Sequence, residues 1–87
     1  MWRVIIPKRI KKVLEKFPIN IREEILILGK KLEESAFPSG YDIKKVRGTT
    51  NCYRVRFGDC RIIYCIDKKE KTIIFTDAFR RERGYRV

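Results

Sequence analysis

Cys52-Tyr53-Arg54-Val55-Arg56-Phe57-Gly58-Asp59-Cys60-Arg61-Ile62-Ile63-Tyr64 alternates side-chain character on both sides of Gly58-Asp59. Such a pair suits a two-residue hairpin turn, so the stretch reads as two antiparallel strands. With Gly58 and Asp59 as the loop, Phe57 faces Cys60, Arg56 faces Arg61, Val55 faces Ile62 and Tyr53 faces Tyr64. Opposed residues share a face of the sheet, as do residues two apart. One face then carries Arg54, Arg56 and Arg61, and the other Tyr53, Val55, Phe57, Ile62 and Tyr64. Like charges directly opposite each other destabilise a sheet. A shared anionic ligand would explain why Arg56 faces Arg61.

The remaining chain supplies a cover for the apolar face. Trp2-Arg3-Val4-Ile5-Ile6 reads as a short strand stopped by Pro7. Ile10, Val13, Leu14 and Phe17 follow at helical spacing, and Pro18 closes that helix. Asn20 followed by Glu23 resembles a capping box, ahead of an apolar stripe at Ile21, Ile25, Leu28 and Leu32. That second helix is expected to stop near Phe37, before Pro38-Ser39-Gly40. From Tyr41 to Val46 the period becomes two, and Arg47 to Asn51 is a loop. After the central hairpin, Asp67 to Lys71 is a polar turn and Thr72 to Ala78 the last strand, with a basic tail from Phe79 to Val87. The order β-α-α-β-β-β-β predicts a single α+β domain over residues 1–87: a strand and helical hairpin on one face of a mostly antiparallel sheet of four to five strands. The arginine face is then the open one.

Charge points the same way. The 87 residues carry 22 Lys and Arg against 11 Asp and Glu, a net +11. Residues 1–43 hold 9 basic and 6 acidic groups and residues 44–87 hold 13 and 5, so the excess lies mainly in the second half. This favours phosphates, or an acidic protein, as partners. No apolar run approaches the length of a membrane span, and the start has no signal-peptide pattern, so a membrane or secretory role is not expected. Cys52, Cys60 and Cys65 match no zinc spacing, no histidine is present to complete one, and no cofactor is implied. Their number fits reduced thiols in a cytoplasmic protein, although the hairpin register also puts Cys52 opposite Cys65. The lack of Gln and the wealth of Lys, Arg, Glu and Ile hint at a thermophilic source.

Arginines interleaved with aromatics suit single-stranded RNA: guanidiniums take the backbone and planar groups take the bases. A solvated sheet face and an unstructured basic tail are the plainer readings of the same residues. RNA carries its own nucleophile, the 2′-hydroxyl, so an enzyme need only align it, handle two protons and stabilise charge on phosphorus. Without histidine, the proton-handling candidates are Tyr85, Glu82 and Asp77.

Nearly the whole chain resembles the RelE/ParE superfamily of type II toxin–antitoxin toxins. The resemblance rests on Lys45-Val46-Arg47-Gly48, Cys52-Tyr53-Arg54-Val55-Arg56, Gly58-Asp59-Cys60-Arg61-Ile62-Ile63-Tyr64 and the ending Arg81-Glu82-Arg83-Gly84-Tyr85-Arg86, which is similar to archaeal RelE toxins. It implies a ribosome-dependent mRNA endonuclease that cuts in the A site and is neutralised by a small RelB-like antitoxin. By motif, Arg54 and Arg56 match the paired basic positions of the central strand, where lysines are common. Arg61 matches the arginine opening the next strand, and Arg81 or Arg83 with Tyr85 matches the tail pair. A ParE-like inhibitor of DNA gyrase and a non-catalytic RNA-binding module are the alternatives, because one fold serves several functions.

Overall fold

Two prolines punctuate the first third of the chain. A computed structural model describes residues 1–81. Strand β1, Arg3–Ile5, ends before Pro7, whose carbonyl accepts from the backbone N–H groups of Ile10 and Lys11 as helix α1, Lys8–Leu14, begins. Helix α2, Ile19–Glu34, starts at Pro18, which occupies the N-cap, so Asn20 lies inside the first turn and the expected capping box does not form. Proline has no N–H to satisfy and its φ is already helical, which suits it to a helix start. The helix also ends three residues before Phe37. Packing rather than capping holds it: Ile25, Leu28 and Leu32 are fully buried, each worth about 1.5–3 kcal/mol.

The strands β2 (Asp42–Lys45), β3 (Cys52–Phe57), β4 (Cys60–Asp67) and β5 (Thr72–Arg80) follow. Together with β1 they form one five-stranded sheet in the order β1-β5-β4-β3-β2, antiparallel throughout except for the parallel β1–β5 pair. The architecture is α+β, as the element order predicts. Ile10, Leu14 and Phe17 of the first helical segment and the α2 stripe bury against Val55, Phe57, Ile62, Tyr64, Ile73 and Phe75 in a single core.

The central hairpin has the predicted register at every pair from Cys52–Cys65 to Phe57–Cys60. Gly58 takes φ +61° whereas Asp59 does not have positive φ, the sign pattern of a type II′ turn with glycine first. Two expectations need correction. Cys52 and Cys65 are joined as a disulfide across the directly opposed pair, with Cα atoms 4.0 Å apart, and only Cys60 is a free, buried thiol. Composition favoured thiols, but cross-strand proximity brings these two together. The last strand also runs two residues beyond Ala78, so Phe79 and Arg80 belong to the sheet rather than to a tail.

Strand β5 contains an irregularity that decides what the open face displays. Ile63 pairs with Asp77 but Tyr64 pairs with Phe75, leaving Thr76 as an extra residue in a β-bulge. The Thr76 hydroxyl lies 3.4 Å from the Ile63 carbonyl, and Arg9 of α1 donates through Nη2 to the Thr76 carbonyl at 2.7 Å. Strand β1 pairs only as far as Ile74, so the helix arginine serves a carbonyl that no strand reaches.

Tyr64 anchors the sheet to the end of the helical layer: its buried hydroxyl donates to the Ala36 carbonyl at 2.8 Å. Burial, then the neighbouring Tyr53, raises its pKa from 10.0 to about 12. A group whose folded pKa is raised contributes stability that is complete below the unfolded pKa and lost as pH climbs through the folded one. About 2–3 kcal/mol should therefore disappear between roughly pH 10 and pH 12. Denaturant titrations at neutral and alkaline pH are expected to show this loss in wild type. Tyr64→Phe should be about 1–2 kcal/mol less stable at neutral pH and should lose correspondingly less on raising the pH.

Candidate functional site

Alternation along β3 and β4 delivers the arginines to the side away from the helices. Val55 and Phe57 are buried, whereas Arg54 and Arg56 between and before them are exposed. Arg61 lies between the fully buried Cys60 and Ile62, so its side chain leaves the core side of the strand, opposite Arg56. Arg81, two residues after Phe79, extends the pairing of β5 past the hairpin, its N–H donating to the Asp59 carbonyl at 2.7 Å.

Arg61 is the least exposed of the set, at 8%. Its Nη1 donates to the carbonyls of Gly58 at 2.8 Å and Cys60 at 3.2 Å, which turns the guanidinium back over the hairpin. Burial, then the positive charges of Arg56, Arg54 and Arg81 in that order, lowers its pKa, with Asp59 opposing. Arginine keeps its proton at neutral pH regardless. The shift measures how unfavourably a charged group sits there, and an anion would relieve it. The sheet thus brings together Arg54, Arg56, Arg61 and Arg81. Arg83 and Tyr85, together with the alternative proton carrier Glu82, lie outside the described residues.

Two further members of the face are not visible in the sequence pattern. Asp42 pairs in register with Arg56, and its Oδ2 lies 3.2 Å from the Arg56 Nε. This exposed pair is worth little stability but orients Arg56. Lys44 sits across from Arg54 and adds a fifth cation. Both could have been found only by knowing how β2 pairs with β3, and the six-residue connection between them gives no such register. Asp77, the remaining carboxylate candidate, lies on the open face opposite Ile63, with Oδ1 accepting from the Ala78 N–H at 2.9 Å. Arg80 turns instead to Asp59, at 3.4 Å.

Five cations with one ion-paired aspartate at the rim make a surface for a polyanion, and guanidinium pairs favour phosphate. Among the described residues no helix is long and apolar enough to cross a membrane.

No protein-family model matches the sequence. Individual proteins do. The chain is 31% identical over 86 residues to the Methanocaldococcus jannaschii protein named "Putative toxin RelE1", spanning 98% of this chain and 96% of that one. A crystal structure of the archaeal RelE–RelB complex from Pyrococcus horikoshii OT3 contains a chain that superposes with a TM-score of 0.81 at 33% identity, covering 94% of this chain and 97% of its own. A chain in the RelB–RelE antitoxin–toxin complex from Methanococcus jannaschii matches with a TM-score of 0.77 at 30% identity, with 88% and 90% covered. Isolated Escherichia coli RelE, at 19% identity and a TM-score of 0.76, shares the fold. With the helical hairpin, the five strands and the sequence aligned nearly end to end on archaeal relatives, the chain belongs to the RelE family of toxins.

Proposed function

We propose that the chain is a ribosome-dependent mRNA endonuclease that arrests translation by cutting the message in the A site. The observation that carries this reading is the placement of Arg61, almost buried and electrostatically disfavoured among Arg54, Arg56 and Arg81. A face that only needed solubility would not concentrate guanidiniums at one point, since opposed like charges cost roughly 0.2–1 kcal/mol per pair.

In the proposed reaction the 2′-oxygen attacks the adjacent phosphorus and the bond to the 5′-oxygen breaks. The products are a 2′,3′-cyclic phosphate and a 5′-hydroxyl. Arg61 and Arg81 or Arg83 stabilise the charge gathering on the non-bridging oxygens, while Arg54 and Arg56 hold the flanking backbone. Two protons move: one leaves the 2′-hydroxyl as its oxygen bonds to phosphorus, and one reaches the departing 5′-oxygen as its bond to phosphorus breaks. Tyr85 is the proposed carrier, with Asp77 and Glu82 as alternatives. The ribosome supplies the alignment of the 2′-oxygen, which is the entropic part of the barrier.

The partner that restrains the activity is a small RelB-like antitoxin. Support comes from the RelE–RelB complexes among the structural relatives and from the net charge of +11, which suits an acidic chain.

The test is cleavage mapping on a defined message. Purified chain added to ribosomes with a codon held in the A site should produce a break within that codon, suppressed by the antitoxin and absent from ribosome-free message. A message that stays intact while the chain arrests growth would overturn the reading.

A further inference from the structure

One large apolar side chain sits within the cationic face without a structural reason. Phe79 is 40% exposed, although Ala78 before it is buried. It is the cross-strand partner of Arg61, which in turn faces Arg56, so Arg56, Arg61 and Phe79 form one row across three strands. Arg81 stands two residues further on the same face, and the half-buried Ile63, two residues after Arg61, lies diagonally beside Phe79. The bulge at Thr76 is what turns Phe79 outward: Phe75 and Phe79, four residues apart, would share a face of a regular strand, yet Phe75 is fully buried.

We infer that Phe79 is a stacking platform for one base of single-stranded RNA, the base whose ribose-phosphate lies against Arg61 and Arg81. The inference rests on the endonuclease reading and adds to it a positioning residue. A ring beside guanidiniums performs two tasks at once, since cations take the backbone and the ring takes the base regardless of its identity. Stacking would hold the nucleotide so that its phosphate cannot slide along the arginine row. A phenyl ring has no hydrogen-bonding group with which to read the base edge, so the platform orients rather than selects.

The experiment measures binding of the full chain to ribosomes whose A-site codon carries a 2′-deoxyribose at the reactive position, which cannot be cleaved. Phe79→Leu should weaken binding by about fivefold to a hundredfold, the range for losing one base–aromatic stack. Phe79→Tyr, which keeps the ring, should remain within threefold of wild type, and both variants should keep the wild-type thermal midpoint. The inference is overturned if Phe79→Leu binds within twofold of wild type, or if Phe79→Tyr is as weak as Phe79→Leu. A Phe79→Leu defect confined to antitoxin affinity would also overturn it and make the ring a protein contact. If wild type itself neither binds nor cleaves, the endonuclease reading fails first and this inference falls with it. If wild type cleaves and Phe79→Leu matches it, only the platform is lost.

Discussion

Arg61→Met is expected to lower ribosome-dependent cleavage by about 10²–10³-fold while leaving the stability of the domain within about 1 kcal/mol of wild type. The two halves of this result have one cause. Arg61 is nearly buried and its neighbours Arg56, Arg54 and Arg81 all repel it. Its two backbone contacts, to Gly58 and Cys60, return part of that cost. Replacing a buried charge by an apolar side chain of similar volume is often neutral or stabilising, because desolvation and repulsion vanish with the charge. The chemical step has no such compensation. One donor placed on a developing anion is worth about 3–4 kcal/mol, which is the expected loss of rate. Arg61→Lys should recover only part of the activity, since an ammonium cannot give two parallel hydrogen bonds to phosphate. Single-turnover cleavage and a denaturant titration on the same preparations decide the matter. A variant that lost activity and several kcal/mol of stability together would show that Arg61 builds the fold rather than the site.

Phe75→Ala should cost about 3–5 kcal/mol, whereas Phe79→Ala, four residues later on the same strand, should cost less than about 1 kcal/mol. Phe75 is fully buried against the helical layer, and its loss leaves a cavity under Tyr64 that the sheet cannot close. For a domain of this size the total stability is about 4–13 kcal/mol, so Phe75→Ala removes a large share of it and much of the protein should unfold on mild heating. Phe79 gives up ring surface that water already touches. Urea midpoints of the two variants compare the sites directly. Equal losses would mean that the bulge does not separate their environments, and the account of the open face would fail with it.

The central hairpin is legible in the sequence. A two-residue turn admits one register, and strict alternation on both sides then assigns every side chain from Cys52 to Cys65 to a face. The opposition of Arg56 to Arg61 follows from that register alone, and with it the three-arginine part of the candidate site, Arg54, Arg56 and Arg61. Arg81 lies on the continuation of β5, which the register does not reach. Helix existence was equally readable, because Ile25, Leu28 and Leu32 repeat at helical spacing. The capping box was not a reliable guide, because Pro18 offered a competing start two residues earlier.

Chain-distant contacts settled the rest. The alternation of Thr72 to Ala78 gives no sign of an extra residue at Thr76, and a regular strand would carry Phe75, Asp77 and Phe79 on one side. A bulge there is favourable only because Ile63 offers a carbonyl, Arg9 of α1 reaches another, and Ala78 fits against Ile62 in the core. Those groups lie 13, 67 and 16 positions away in the chain. The near burial of Arg61 and the arrival of Asp42 and Lys44 beside Arg56 and Arg54 have the same origin. In the hairpin, local propensity and pattern determine which residues point outward; in β5 the outward face itself, and everywhere the neighbours met there, depend on strand pairings whose free energy exists only once the sheet is assembled.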